Sequence, residues 1–177
     1  MRGALVIIIG SSGVGKSTLA RALQEALLPE QWLHFSVDTL FDCLPPSVVE
    51  RVNRHNEHQV VDAKALVSGA HACVRSLLER GHRVIFDAVV VSDAGAQRLL
   101  TAFGEFDPLV VELTCSWDVI RARTLARGDR TLDEAAQGFA AGGGHLRATH
   151  VFDTTDTPPG TLAERLVGLM RGSEPAR

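Results

Sequence analysis

The stretch VIIIGSSGVGKSTLARAL, residues 6–23, decides the fold. It matches the pattern G-x-x-x-x-G-K-[ST] in full, and the defined positions hold Gly10, Gly15, Lys16 and Ser17. An apolar run precedes the glycines, and a segment of helical period follows them. A glycine-containing turn with a chance lysine would not need both neighbours, so the sequence predicts a phosphate-binding loop between a strand and a helix.

The residues of this loop suit a nucleotide phosphate. Gly10 and Gly15 let the backbone turn its N–H groups inward, and the following helix directs its positive end to the same place. We expect Lys16 to reach the outer phosphates and Ser17 to supply a hydroxyl group to Mg²⁺. The residues predicted to contact the nucleotide form one continuous segment: Gly10, Ser11, Ser12, Gly13, Val14, Gly15, Lys16, Ser17 and Thr18.

Length and charge limit the class of protein. The 177 residues, 45% of them hydrophobic, suffice for a single domain, which we expect over residues 1–172, with residues 173–177 as a disordered tail. The formal net charge is −3, from 18 basic and 21 acidic residues spread along the chain. Nucleic-acid binding needs a concentrated basic surface, so the sequence predicts a small-molecule partner and no nucleic acid.

Membrane and redox features predict a reduced, cytoplasmic protein. No apolar segment approaches the about 20 residues that span a bilayer, and the apolar start of the chain runs into the glycine loop without a cleavage site. The cysteines, Cys43, Cys73 and Cys115, lack metal-binding or redox spacing. We therefore expect no membrane partner; a homo-oligomer is compatible with the sequence.

Apolar runs alternate with segments of helical period along the whole chain, which is typical of strand and helix units wound into a parallel sheet. The predicted fold is therefore α/β, with a five-stranded parallel sheet in the middle of three layers. The predicted strands span residues 4–9, 33–37, 83–87, 108–114 and 149–152.

Helical segments connect these strands. The first starts near Lys16, and a long helix covers residues 57–80. Another starts after Ser92 or Asp93, either of which suits an N-cap. The last covers residues 161–171.

A carboxylate stands at the end of the second predicted strand, in WLHFSVDTLFD. Ligands bind at the edge formed by the carboxyl ends of parallel strands, which places Asp38 near the predicted loop. Kinases use an aspartate there to accept the proton of a substrate hydroxyl. The alternative is structural, with Asp38 or Thr39 capping a short helix.

The third predicted strand also ends in a carboxylate, Asp87 in RVIFDAVV. Proteins with this loop place the aspartate that holds Mg²⁺, directly or through water, after such a strand. The pattern alone is weak, but the phosphate-binding loop favours the magnesium role. The alternative is a structural aspartate that caps the next turn.

Arginines crowd the segment RARTLARGDR, at positions Arg121, Arg123, Arg127 and Arg130. Phosphoryl transfer gains from positive groups around the migrating phosphate, and a flexible segment can close over it and exclude water. Some of these arginines should be ordinary surface charges, whereas Arg127 and Arg130 flank the expected end of a helix. We expect an arginine-rich lid over residues 123–145, with Arg123 as a further nucleotide-binding candidate.

The histidines and aromatic residues form no predicted centre. None of the 7 histidines belongs to a pair with metal-binding spacing. His55 and His58 lie three residues apart, which a solvated helix face explains better than a metal site. Phe35 and Phe41 are candidates to line a substrate pocket.

Several longer segments form a recognisable set: GSSGVGKS, LPEQWLHFSVDTLFDCLP, RVIFDAVV, LARGDR and VFDTTDT. Together they resemble the chloramphenicol phosphotransferase-like family of P-loop kinases, over residues 4–167. The patterns W-L-x-F-x-V-D-[ST]-L and ARGDR are more specific than the phosphate loop, which many unrelated nucleotide-binding proteins share.

The resemblance implies a fold similar to that of nucleotide and shikimate kinases. It also implies ATP and Mg²⁺ as cofactors, and transfer of the γ-phosphate to a hydroxyl group. At the matching positions it implies Asp38 as the base, Lys16 and Ser17 as ligands of phosphate and Mg²⁺, Arg127 and Arg130 as lid residues, and Asp153 and Thr154 as neighbours of the adenine.

Departures from the family pattern leave the acceptor open. Antibiotic kinases of the family have two adjacent acids where this chain has Asp87 and Ala88, and a Val-His pair where it has AAGGGH. Residues 45–62 have no clear match in the family. These regions are expected to form the substrate walls and the lid, so they bear on the acceptor more than on the chemistry.

A chloramphenicol-like antibiotic is the leading acceptor. The first rival is a metabolite kinase that acts on a sugar, a shikimate-like acid or a nucleoside phosphate. An anionic acceptor would need basic residues outside the lid, which Arg51, Arg54 and Lys64 could supply from the cleft. The second rival is a nucleotide-binding regulator that transfers no phosphate to a small molecule.

Overall fold

A five-stranded parallel sheet forms the centre of the computed structural model, which describes residues 3–55, 57–128, 131–141 and 143–172. The strand order is β2-β3-β1-β4-β5. The strands are β1 Leu5–Ile9, β2 Trp32–Ser36, β3 Arg83–Ala88, β4 Leu109–Thr114 and β5 His150–Asp153. Each lies within one residue, at either end, of its predicted span, so the predicted α/β fold is confirmed.

Eight α-helices and two 3-10 turns connect and flank these strands in the part of the chain that the structure describes. The helices are α1 Lys16–Ala26, α2 Val37–Phe41, α3 Pro46–His55, α4 Ala63–Glu79, α5 Asp93–Phe103, α6 Trp117–Arg127, α7 Leu132–Ala141 and α8 Pro159–Gly172. The 3-10 turns are His58–Val60 and Gly104–Phe106.

The central strand β1 explains the three layers. All five of its residues are buried, since it pairs with β3 on one side and β4 on the other and is covered on both faces. Its alternate residues contribute to two cores. Val6 and Ile8 pack in the core that contains α1 and α8, whereas Ile7 and Ile9 pack in the core that contains α4 and α5.

Some predicted helix boundaries were wrong. The long helix begins at Ala63 and not at residue 57, because the Asp62 carboxylate caps it by accepting a hydrogen bond from the Ala65 N–H at 3.0 Å. The last helix begins at Pro159, two residues before the predicted start. Of the two candidate N-caps of α5, Ser92 caps the helix: its hydroxyl accepts a hydrogen bond from the Gly95 N–H at 3.1 Å.

Two further predictions concern membrane-spanning helices and the tail at residues 173–177. Across the described ranges, no helix has both the length and the apolar character needed to cross a membrane. The predicted tail, residues 173–177, lies outside the described residues.

Candidate active site

The predicted phosphate-binding loop joins β1 to α1 and depends on glycine backbones. Gly10, Gly13 and Gly15 have φ angles of 146°, 85° and 106°, in the left-handed region that other residues rarely adopt. At Gly10 the space is also closed, since a Cβ atom would lie 2.5 Å from the backbone oxygen of Leu113 on β4. The loop conformation is thus fixed by the neighbouring strand.

Lys16 is buried at the start of α1, and its ammonium group lies against the loop. Its Nζ donates hydrogen bonds to the backbone oxygens of Gly10, at 3.1 Å, and Ser11, at 2.9 Å. A positive charge and the N-terminus of α1 therefore meet on one concave turn of backbone. This combination attracts an anion such as a phosphate group.

Ser17 and Asp87 come together at the carboxyl end of the sheet, next to the loop. The Ser17 hydroxyl donates to Asp87 Oδ2 at 2.8 Å, and His34 Nε2 lies 2.8 Å from the same oxygen. Within the described ranges, these side chains and not the backbone of the next turn hold the carboxylate. The geometry favours the functional interpretation of Asp87 over the capping alternative.

The electrostatics of Asp87 also suit a cation. Burial raises the pKa of this carboxyl, but hydrogen bonds from His34 and Ser17, with the nearby charge of Lys16, outweigh burial and hold the pKa below its usual value. A carboxylate and a hydroxyl oxygen are ligands that Mg²⁺ prefers. Ser17 and Asp87 therefore fit a magnesium ion. In the described part of the chain, no three His, Cys, Asp or Glu residues form a metal cluster.

Asp38 lies in the first turn of α2, directly after β2, and lines the same cavity as the loop and Asp87. The helix does not begin at Asp38 or Thr39 as the structural alternative assumed. The residue before the helix is Ser36, and its backbone N–H donates to Thr39 Oγ1 at 3.1 Å. The Asp38 side chain is exposed.

Arg123 reaches the outer side of the loop from α6. Its Nη1 donates to the backbone oxygens of Gly13, at 3.3 Å, and Val14, at 3.1 Å, while Nη2 donates to the backbone oxygen of Thr154 at 3.0 Å. The Thr154 hydroxyl in turn donates to the Val14 oxygen at 2.7 Å. Sequence reasoning placed Arg123 and Thr154 at the nucleotide, whereas these contacts are to the backbone that holds the loop.

The remaining predicted residues lie near this network or outside it. Asp153 accepts a hydrogen bond from the Thr155 N–H at 2.7 Å, and hydrogen bonds from Thr155 lower the pKa of its carboxyl. Arg127 lines the cavity near Gly13, at the end of α6. Arg130 lies outside the described residues.

The cavity over the loop has a volume of about 540 Å³. It brings together residues from the loop, α2, β3, α6 and the segment after β5. Its polar lining includes Ser12, Lys16, Ser17, Thr18, Asp38, Asp87, Arg123, Arg127, Thr154 and Thr157. Most residues that the sequence assigned to the nucleotide, the metal and the base therefore share one cavity; Gly10, Ser11 and Asp153 do not line it.

A second cavity has a volume of about 1090 Å³. Two segments of the chain contribute to both cavities: Val89 and Arg127 line the first, whereas Val91 and Gly128 line the second. Its walls come from α3, the turn at residues 58–60 and α7. The polar residues of these walls are Asn53, Arg54, His58, Thr131, Asp133, Glu134 and Gln137.

Two of the three basic residues considered for an anionic acceptor are paired with carboxylates, and the third is exposed. Arg51 makes two hydrogen bonds to Glu57, at 2.8 and 2.6 Å, and Arg54 pairs with Glu50 at 2.7 Å. Arg54 lines the second cavity. Lys64 is exposed in the first turn of α4.

Sequence reasoning missed His34. The alternation along β2 contains a weak signal, because Trp32, His34 and Ser36 share one face of the strand. Its contact with Asp87 also requires β2 to lie beside β3, and Ser36 pairs in register with Asp87. The strand order decides whether this contact forms, and the local sequence pattern does not reveal the strand order.

Comparison with known proteins finds relatives over most of the chain. A guanylate kinase of Mycolicibacterium paratuberculosis is 32% identical over 195 residues, which cover 99% of this chain and 84% of that enzyme. A Mycobacterium tuberculosis protein, provisionally named an O-phosphotransferase, is 27% identical over 184 residues, which cover 93% of this chain and 80% of its own.

Solved structures confirm the fold. The shikimate kinase from Acinetobacter baumannii, in complex with shikimate, superposes with a TM-score of 0.61 at 15% identity, covering 98% of this chain and 96% of that chain. At this identity the likeness concerns the fold alone. The sequence profile of chloramphenicol phosphotransferase-like proteins matches residues 3–171. Since that match spans almost the whole described chain, the protein belongs to the chloramphenicol phosphotransferase-like family and is a kinase.

Proposed function

We propose that the protein transfers the γ-phosphate of ATP to a hydroxyl group of a small molecule, with Mg²⁺ as cofactor. One observation carries the proposal. Asp38 lines the same cavity as the phosphate-binding loop and the Ser17–Asp87 pair. A base for an alcohol and a cradle for phosphate therefore face one space.

Each group of site residues has its own role in the proposed reaction. The backbone N–H groups of the loop and Lys16 bind the phosphates, and Arg127 with Arg130 neutralises charge on the transferred group. Ser17 and Asp87 would hold Mg²⁺, which when bound neutralises phosphate charge. Asp38 accepts the hydroxyl proton as the acceptor oxygen bonds to the γ-phosphorus and the bond to the β-phosphate oxygen breaks, which releases ADP.

The nucleotide base is proposed to lie beside Asp153 and Thr154. Arg123 supports it indirectly, since its guanidinium group holds the loop against Thr154. Residues 123–145 are proposed to act as the lid, because α6 lines the first cavity and α7 lines the second. Closure there would exclude water from the transferred phosphate.

The second cavity is proposed to bind the acceptor. Family membership makes a chloramphenicol-like alcohol the leading candidate. Charge supports an acceptor that is not an anion: Arg54 is already paired with Glu50, and Asp133 and Glu134 also line the cavity. A phosphate group on the acceptor would meet these carboxylates. The identity of the acceptor decides whether the reaction protects a host against an antibiotic.

A nucleoside monophosphate is the second candidate acceptor. It is favoured by the 32% identity to a guanylate kinase and by the presence of Arg54 in the cavity wall. To bind a phosphate, Arg54 would have to leave Glu50. The ion pair is exposed, so that exchange costs little.

A coupled assay of ADP release with Mg²⁺–ATP tests the proposal. The acceptor panel contains chloramphenicol, related amino-diols, sugars, shikimate, nucleosides and GMP, with Asp38→Asn protein alongside. We expect turnover that requires an uncharged alcohol and is lost in the variant, which still binds ATP. GMP-dependent turnover would support the second candidate. Slow hydrolysis that no acceptor changes would support a nucleotide-binding regulator and contradict the proposal.

A further inference from the structure

Two side chains from different elements meet on one oxygen of Asp87. Ser17 reaches it from α1 and His34 from β2, each at 2.8 Å. Both the carboxylate and the imidazole are largely buried, with side-chain exposures of 7% and 18%. A carboxylate oxygen accepts hydrogen bonds and donates none. His34 Nε2 must therefore carry the hydrogen, and the imidazole donates.

The position of His34 is unusual for its face of the sheet. Trp32, two residues earlier, and Ile85, the register partner of His34, both belong to the apolar core under α1. Burying much of an imidazole in such surroundings costs free energy unless its N–H finds an acceptor. Asp87 supplies that acceptor. The pair is thus a polar contact beside this apolar core.

Two donors on one oxygen restrict the carboxylate. With a single partner, the carboxylate could rotate about its Cβ–Cγ bond and exchange its oxygens. Donors that arrive from α1 and from β2 fix the plane of the group and assign Oδ2 to them. The effect passes to Ser17, whose one proton is directed to Asp87, so that its lone pairs are left to accept a cation.

We propose that His34 is a positioning residue of the magnesium–nucleotide site: by fixing Asp87, it keeps the Ser17 hydroxyl turned so that its oxygen can bind Mg²⁺. The inference rests on the proposed function, since it assumes that the protein uses magnesium–ATP. Residues that orient metal ligands in this way commonly change metal affinity by about 10–100-fold when they are replaced. His34 itself touches neither the nucleotide nor the acceptor in this account.

Binding measurements separate this role from a structural one. The dissociation constant of AMPPNP is measured by calorimetry in Mg²⁺ and in EDTA for wild type, His34→Leu and His34→Gln. The leucine keeps the volume without a donor, whereas the glutamine keeps an N–H. We expect His34→Leu to weaken binding in Mg²⁺ about tenfold and to leave binding in EDTA unchanged, and His34→Gln to restore most of the loss. His82→Leu, at an exposed histidine, is the matched control.

The outcomes distinguish the inference from the proposed function. Equal weakening in Mg²⁺ and EDTA, or no change in a folded His34→Leu protein, overturns the positioning role while wild type still binds magnesium–nucleotide. Wild type that shows no advantage of Mg²⁺ over EDTA overturns the proposed cofactor instead. If His34→Leu does not fold, His34→Asn replaces it. Its shorter amide cannot reach Asp87, so binding in Mg²⁺ should fall for asparagine and not for glutamine.

Discussion

Arg123 and Thr154 meet behind the phosphate-binding loop, where the guanidinium Nη2 donates to the threonine backbone oxygen at 3.0 Å. Both residues also bond to the carbonyl oxygen of Val14. Hydrogen bonds from α6 and from the segment after β5 therefore hold the outer side of the loop. The carbonyl groups of Gly13 and Val14 point to these partners, whereas those of Gly10 and Ser11 accept from Lys16.

Replacing Arg123 by methionine should weaken nucleotide binding and lower stability. The change removes donors from buried carbonyls of the loop, and each bond to a charged donor contributes about 1.5–3 kcal/mol. We expect AMPPNP binding to fall at least tenfold and the urea midpoint to drop. Arg121→Met is the control, because Arg121 is an exposed residue on the same helix. Loss of binding at full stability would instead indicate direct contact of Arg123 with the nucleotide.

Replacing Gly10 by alanine should destabilise the fold. The residue has a φ angle of 146°, and its added Cβ atom would lie 2.5 Å from the Leu113 oxygen on β4. Strand β4 cannot yield without disturbing its pairing with β1, so we expect a loss of about 2–4 kcal/mol in urea unfolding. Gly168→Ala, in α8 with no neighbour within 4 Å, should instead stabilise the protein slightly. Equal stabilities of the two variants would contradict this account of the loop.

Replacing Thr39 by valine should slow transfer through Asp38. The Ser36 N–H donates to Thr39 Oγ1 at the start of α2, and loss of such a terminal hydrogen bond costs about 1 kcal/mol. We expect the less ordered first turn to raise the barrier to transfer by about the same amount, which is about a fivefold fall in acceptor-dependent turnover, with the KM for ATP unchanged. Thr39→Ser keeps the oxygen and should behave like wild type. A rise in the KM for ATP at constant kcat would show that α2 serves the nucleotide and not the base.

Stability should fall in mild acid because of His71. Its ring packs against Phe86 and Phe103 at 5.8 and 5.2 Å, and burial, with the charge of Arg98, lowers its pKa below the ordinary 6.5. Below pH 6.5 the unfolded chain takes up a proton that the folded protein still refuses. The stability contribution of neutral His71 is therefore complete above pH 6.5 and declines as the pH falls from there toward the folded pKa.

The measurement for His71 is the urea midpoint at pH 7.5 and pH 5.5. His71→Gln should lose less stability between these values than wild type, since it has no proton to gain. His82→Gln, at an exposed histidine, should keep the wild-type difference. If His71→Gln shows the same acid sensitivity as wild type, other groups cause it.

The fold was predictable because its signals are local. The loop pattern fixes β1 and α1, and the apolar runs locate the other strands within one residue at each end. Asp38 and Asp87 were predictable neighbours, since the carboxyl ends of parallel strands share an edge. The start of α4 was not, because the Asp62 cap competes with an uninterrupted helical pattern.

The details of the site depend on distant pairings. The arginine run predicts positive charge near the phosphates, but not that Arg123 binds the carbonyl oxygens of Gly13 and Val14. His34 gains its partner only through the order of the strands. Sequence patterns therefore located the residues of the candidate site and not the hydrogen bonds between them.

The elements that form the walls of the two cavities differ in how many buried residues they contain. The nucleotide side is built on β1 and α1, whose apolar residues fill the core, whereas α3 has no buried residue and α7 buries Ala135 alone among its described residues. Exposed positions tolerate substitution at a cost of about 0.5 kcal/mol or less. If the second cavity holds the acceptor, as proposed, substitutions in α3 and α7 would change which acceptor is admitted while folding and nucleotide binding persist.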